Sequence, residues 1–276
     1  MKNILLPTDF SENSQNAIEF ALEFLKGKEC SFSVLNVQKA GEFVLDDFYS
    51  ASATSSVNEA ILKDNKKDLK SFLSPFQEKY KNEKFEFQSF VDYDVFADAV
   101  SQLVSSENID LIVMGSNGAT DASEVLFGSN TLQVIRKVDC PVLIIPEDYK
   151  YSGIESVLFT ASTCRDLKHE AAIPFKEILD AFEPELHLLN IKKSQKAPSH
   201  QCTSCLIDVL QDVDYTSHTL RGIPTPMAVD AFVQLNKVDL HATFVERESF
   251  MDRFLFGSET SKLSYGTRIP LLIMHK

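Results

Sequence analysis

Gly115, Gly118 and Gly128 are spaced as G-x2-G-x9-G, and Ser129 follows the last glycine directly. The apolar run IDLIVM comes before this stretch and the helix-like run TLQVIRKV comes after it. A strand that ends in glycines and re-enters a helix at Gly-Ser suits anion binding, because backbone N–H groups can converge on phosphate with no side chain in the way. Gly115 and Gly118 would permit positive φ and close approach. The start of the helix would offer free N–H groups and the positive end of its dipole. The Ser129 hydroxyl would either cap that helix or bond a phosphate oxygen. The same pattern has a plain structural reading, since glycines often follow strands and Gly-Ser is often only a cap. No Lys follows Gly128, so this is not a Walker A loop, and it is not the dinucleotide G-x-G-x-x-G.

These residues need a frame to bring them together. Asn3–Leu6 is a buried-strand run, and Ser14–Leu25 carries apolar residues at helical spacing. Ser31–Val37 alternates, and a polar, Ser/Ala-rich stretch runs from Gly41 to about Asn58. Glu59–Lys79 is read as helix, Phe85–Val91 as strand and Val95–Ser105 as helix, while Asp110–Met114 and Val142–Ile145 are continuous apolar runs. Such runs fit a parallel sheet covered on both faces. The order βαβαβαβαβ predicts a doubly wound, Rossmann-like α/β sheet. In such sheets ligands bind beyond the carboxyl ends of the strands, where strand order reverses. Asp9 closes the first strand and Gly115 the fourth, so neighbouring strands there would face Asp9 toward the glycine turn.

The second half of the chain repeats the first in order. SVLFTAS (156–162) matches NILLPTD (3–9), LHLLNIKK (186–193) matches FSVLNVQK (32–39), and VDLHATFVE (238–246) stands where IDLIVMGSN stands. FLFGSETSKLSYGTRIPLLIM (254–274) matches VLFGSNTLQVIRKVDCPVLII, closing Pro included. This predicts two tandem open-sheet domains of five mostly parallel strands, 1–148 and 153–276, each with its own core. They are expected to join as a pseudo-dimer through Val142–Ile145 and Leu271–Met274, since unpaired terminal strands would be exposed edges.

Composition narrows the partners. A formal net charge of −13 argues against nucleic acid and anionic membranes but leaves a single nucleotide open. Five cysteines, an odd number without framework spacing, favour a reducing compartment. MKNILLPTDF runs straight into a strand-like segment, so a secretory leader is not expected, and the apolar runs are far shorter than the roughly 20 residues of a membrane span. The chain is expected to be cytoplasmic.

On Gly115, Gly118, Gly128 and Ser129, with the opening ILLPTDFSENS, both halves resemble universal stress protein (UspA-type) domains, of the adenine nucleotide alpha hydrolase-like fold. The first half resembles the ATP-binding branch of that family. The resemblance implies a nucleotide site made of Pro7, Thr8, Asp9, Val37, Met114, Gly115, Gly118, Gly128, Ser129, Asn130 and Thr131. Asp9 would lie by the ribose and phosphates, and the Val37 backbone would contact adenine. A divalent metal, Mg2+, is implied with the phosphates. The chain departs from the family pattern at Asp94, where many members carry Gly. In the second half Ser162 replaces Asp9, and Val245–Glu246–Arg247–Glu248 replaces the first glycine pair, so only Gly257 and Ser258 survive. Carboxylates in a would-be phosphate turn repel polyphosphate, so the second half is expected to bind no ATP.

Other candidates are weaker. His200, Cys202 and Cys205 have a C-x-x-C spacing with a nearby His, to which His187 or His218 would add a zinc ligand, but the second finger pair is missing. Two half-buried thiols at a helix start is the plainer reading, and Cys164 likewise reads as a small hydrophobe. His169, His241 and His275 follow no catalytic order. No general base is matched to a nucleophile, and Arg136 lies two turns into its helix. Efficient phosphoryl transfer needs such charges. The expectation is an ATP-binding stress-response switch with little or no turnover, one nucleotide per chain, acting on an unidentified protein partner through loops around 41–58 and 119–127. The alternatives are a nucleotide-independent interaction module and a slow ATPase. ATP against AMP or ADP, and association of two chains into a homodimer, stay open.

Overall fold

The computed structural model describes residues 2–38, 54–117, 127–161, 172–192, 210, 213–245 and 268–275, the side chains of 54–64 and 161 excepted. Strands β1 (Lys2–Pro7), β2 (Cys30–Val37), β3 (Phe85–Asp92), β4 (Leu111–Gly115) and β5 (Val142–Ile145) alternate with helices α1 (Glu12–Phe24), α2 (Thr54–Lys79), α3 (Phe96–Ser106) and α4 (Ser129–Lys137). Then follow β6 (Ser156–Ala161), α5 (Ile173–Phe182), β7 (Glu185–Lys192), β8 (Tyr215–Arg221), α6 (Thr225–Leu235), β9 (Leu240–Val245) and β10 (Leu271–His275). Helix α2 starts at Thr54, earlier than the Glu59 its apolar periodicity predicts, and Ser and Thr are residues that helix starts favour.

The strands form one ten-stranded sheet in the order β3-β2-β1-β4-β5-β10-β9-β6-β7-β8. Every neighbouring pair is parallel except β5 and β10, where Leu271 faces Ile144, Leu272 faces Leu143 and Ile273 faces Val142 in antiparallel register. The terminal strands therefore meet as anticipated, and both are wholly buried. Strand order and bonding recur in the two halves. Asp110 N–H donates to the Asn3 carbonyl, and Asp110 Oδ2 accepts from Asn3 N–H at 2.8 Å. Asp239 makes the same pair of bonds with Ser156, at 2.9 and 3.0 Å.

The cores are divided by face of the sheet and not by half. One layer joins Ile4, Phe20, Phe32 and Leu143 to Phe159, Phe175 and Leu272. The other joins Leu5, Ile112, Val134 and Ile144 to Leu158, Val229 and Leu271. This corrects the expectation of a separate core in each half: the β5–β10 pairing makes each apolar face continuous. The stretch between the halves is also pinned. Tyr149 and Tyr151 pack on Phe20, and Asn16 Nδ2 donates to the Tyr149 carbonyl at 3.1 Å. Lys150 Nζ donates to Asn16 Oδ1 at 2.8 Å.

His241 of β9 is fully buried, its Nε2 2.9 Å from Thr160 Oγ1. Burial pulls its pKa down from 6.5 to about 3. Between these values the unfolded chain takes up a proton that the folded chain refuses. The stability this group confers is complete above pH 6.5 and falls as pH drops, by up to about 1.4 kcal/mol per pH unit. Urea unfolding at pH 7 and pH 5 should show this slope. His241→Ile, matching Ile112 at the corresponding place in β4, should flatten it.

Candidate functional site

Strand order reverses between β1 and β4: β1 continues to β2 on one side, and β4 lies on the other, in register Ile4 to Leu111 and Leu5 to Ile112. The carboxyl ends of these strands place Thr8 and Asp9 beside Gly115 and Ser116. Thr8 is committed to holding this end of the sheet. Its N–H donates to the Leu35 carbonyl at 2.8 Å, and its own carbonyl accepts from Asn36 Nδ2 at 2.8 Å. Its buried hydroxyl lies 2.9 Å from Ser14 Oγ and accepts from Phe10 N–H at 3.0 Å. Pro7 is buried opposite Leu35, and Val37, half-buried, ends β2 on the same side of the crevice.

Asp9 is exposed, and its Oδ1 accepts from both the N–H and the hydroxyl of Ser11. Ser11 in turn is the N-cap of α1, its side chain accepting from Ser14 N–H. The chain can turn this sharply because Phe10 takes φ 63°, a left-handed conformation unusual for an aromatic residue. Packing of its ring edge-on against Phe72 at 5.2 Å compensates.

The glycines behave differently from the expectation. Gly115 is not in the left-handed region, and Gly128 has φ −60° and ψ 155°, so neither needs a positive φ. Gly118 lies outside the described residues. What Gly115 permits is a close approach by Asn13 of α1: a Cβ there would stand 3.0 Å from Asn13 Cγ, Oδ1 and Nδ2. Asn13 Nδ2 donates to the Asn117 carbonyl at 2.6 Å.

Gly128 is the N-cap of α4 and supplies no capping side chain, while its own N–H donates to the Ser116 carbonyl at 2.8 Å. Ser129 is therefore the first helical residue and not the cap, which leaves its hydroxyl exposed beside Asn130 at the helix start. Thr131 is buried, and its hydroxyl donates to the Gly115 carbonyl at 3.1 Å. That hydroxyl locks α4 to β4, so Thr131 can offer a ligand only its backbone. Met114, buried, points into the core layer beneath α4. The first-turn N–H groups of an α-helix have no partner within it, and here they face the end of the crevice that Asp9 borders.

Two residues that the sequence reading passed over complete the picture. Ser116 Oγ and Asn13 Oδ1 are buried without a hydrogen-bond partner among the described residues. An orphaned buried polar atom costs about 1–3 kcal/mol, so each calls for a partner beyond those residues. Ser116 occupies a variable position of the glycine motif, and Asn13 reads in sequence only as part of a polar helix start.

In the second half, strand register places Phe244, not Val245, where Gly115 stands, and its buried ring packs on Phe159 at 5.7 Å. Ser162, Glu246–Glu248, Gly257 and Ser258 lie outside the described residues, as do Cys164, His169, His200, Cys202 and Cys205. Among the described residues, no group of three His, Cys, Asp or Glu side chains could hold a metal ion. His187 Nδ1 lies 3.3 Å from His218 Nε2, both packed on Phe232, and burial foremost pulls the His218 pKa down. Burial raises the Cys30 thiol and pushes that of Cys140 up to about 12, so both are inert. No helix among the described residues is long and apolar enough to cross a membrane.

A doubly wound α/β sheet whose strand order reverses at β1 and β4, with a glycine-started helix following β4, defines the broad class. Residues 1–146 match the model of the Universal stress protein family, and the chain belongs to that family. It is 28% identical over 152 residues to universal stress protein MJ0577 of Methanocaldococcus jannaschii, covering 52% of this chain and 94% of that one. A universal stress protein from Archaeoglobus fulgidus shares the fold over 99% of this chain and 96% of its own, with a TM-score of 0.61 at 20% identity. A putative universal stress protein from Pseudomonas aeruginosa does so over 100% and 93%, with a TM-score of 0.61 at 10% identity.

Thr131→Val keeps the shape of the side chain and removes its bond to Gly115. It should lower stability by about 1–2 kcal/mol in urea unfolding, while Thr131→Ser stays near wild type.

Proposed function

We propose that this chain is an adenine-nucleotide-binding regulatory protein, holding one ATP in the first half and acting as a cytoplasmic stress-response switch. The observation that carries this reading is the convergence at one switch point of Asp9, the Gly115–Asn117 turn and the uncapped start of α4. Phosphates would lie against the N–H groups of Ser129, Asn130 and Thr131, the ribose beside Asp9, and the base along the backbone of Val37. Gly118 would join from the turn.

The donors at hand also fit Mg2+, which prefers hard oxygen ligands and keeps most of its water. The Asp9 carboxylate and the Ser129 hydroxyl are exposed oxygens at this end of the crevice. The ion would neutralise charge between the phosphates, and the residues of this chain would only orient them. Among the described side chains at the crevice there is no cation to stabilise a transferring phosphoryl group, so turnover is expected to be slow.

In the second half, Phe244 fills the place of the first glycine, which favours a nucleotide-independent role there. We read 1–148 as the binding domain and 153–276 as the domain that completes the sheet and presents surface to a protein partner.

Heating purified protein should release an adenine nucleotide identifiable by mass. Calorimetry or labelled nucleotide in Mg2+ should give one site per chain, the label being needed because the chain has no Trp. Gly128→Val should abolish binding while the fold persists, because a branched side chain at the cap would stand over the helix N–H groups. Neither released nucleotide nor binding by the wild type would overturn the reading.

A further inference from the structure

Asn13 is buried, though its amide is among the most polar of side chains. It lies in the first turn of α1, two residues after the cap Ser11 that holds Asp9. Its Nδ2 reaches the Asn117 carbonyl on the far side of the crevice, at 2.6 Å, and the whole amide lies against Gly115, where a Cβ would come to 3.0 Å. The start of α1 therefore grips both walls of the crevice: Asp9 through Ser11, and the glycine turn through Asn13. Asn13 Oδ1 and Ser116 Oγ have no partner among the described residues. Asn13 Oδ1 is an acceptor and cannot pair with a phosphate oxygen, and Nδ2 is engaged with the Asn117 carbonyl, so Asn13 acts on the ligand through the backbone it holds.

We infer that Asn13 is the positioning residue of the phosphate turn, and that the first glycine of the motif is required by Asn13 and not by the ligand. The inference rests on the nucleotide reading above for its effect on affinity, and on geometry alone for the contact. Gly115→Ala would press the Asn13 amide away by a few tenths of an ångström and so weaken its bond to Asn117, the same bond that Asn13→Ala removes. The two changes therefore act on one interaction and cannot add.

The test measures labelled ATP binding in Mg2+, with adenosine as competitor, for wild type, Asn13→Ala, Gly115→Ala and the double variant. Each single change should weaken ATP about tenfold, and the double variant should also lose about tenfold. Adenosine affinity should stay unchanged, because adenosine has no phosphate for the turn to meet. A double variant weakened about a hundredfold, or adenosine weakened as much as ATP, would overturn the inference. Thermal melting of the same four ligand-free proteins separates the two readings. If the wild type binds no nucleotide, the functional proposal falls, and the melting shifts alone decide the contact. Shifts no larger in the double variant than in the worse single variant support the grip of Asn13 on Gly115, and additive shifts refute it.

Discussion

The antiparallel pairing of β5 with β10 is the interaction on which the rest of the structure depends. Each half on its own would end in a short, wholly apolar strand with a free edge, and such an edge invites uncontrolled pairing. Joined in register, Val142–Ile145 and Leu271–Ile273 make one sheet of ten strands and fuse two apolar layers across the seam. Contacts outside the sheet reinforce the join. The rings of Phe24 and Phe182 stack at 5.2 Å, and Lys2 bonds Glu177. The duplicated halves thus share one interior, and a cavity made in β5 would be felt in the layer above β10.

A rigid seam permits specialisation. In the first half the polar groups around the β1–β4 crevice are arranged in a chain from Asn36 through Thr8 to Ser14, and from Asp9 through Ser11 to α1. Thr131 then fastens α4 to β4. Most side chains in this region are therefore spent on shaping the backbone, and it is backbone N–H groups that the crevice presents. In the second half Phe244 lies in the apolar layer at the place of Gly115, and Thr160 pairs with His241.

Much of this was legible in the residues. The central strands, buried on both faces, read as unbroken apolar runs, and Val142–Ile145 coincides with β5 to the residue. The glycine spacing placed a turn between β4 and α4 because that local geometry is encoded locally. β8 was harder to read: Tyr215–Arg221 lies at the sheet edge with mostly exposed side chains, so no apolar alternation marks it. The roles of Asn13 and Gly115 were not legible either. They depend on a contact between residues about a hundred positions apart, and no local pattern distinguishes an asparagine that braces a distant turn from one that faces water. Phe244 already falls on Gly115 when VDLHATFVE is set against IDLIVMGSN, and strand register and its packing on Phe159 add that its ring is part of the apolar layer.

The seam has one more consequence. Because β5 and β10 run in opposite directions and every other pairing is parallel, the carboxyl ends of the two sets of strands lie at opposite ends of the sheet. The molecule is bipolar. The carboxyl ends of β6 and β9 share an end of the sheet with the amino termini of β1 and β4, a full strand length from Asp9 and the start of α4. The two sets of strand ends are joined by the interior they share, so a strain set up at one reaches the other through packed side chains.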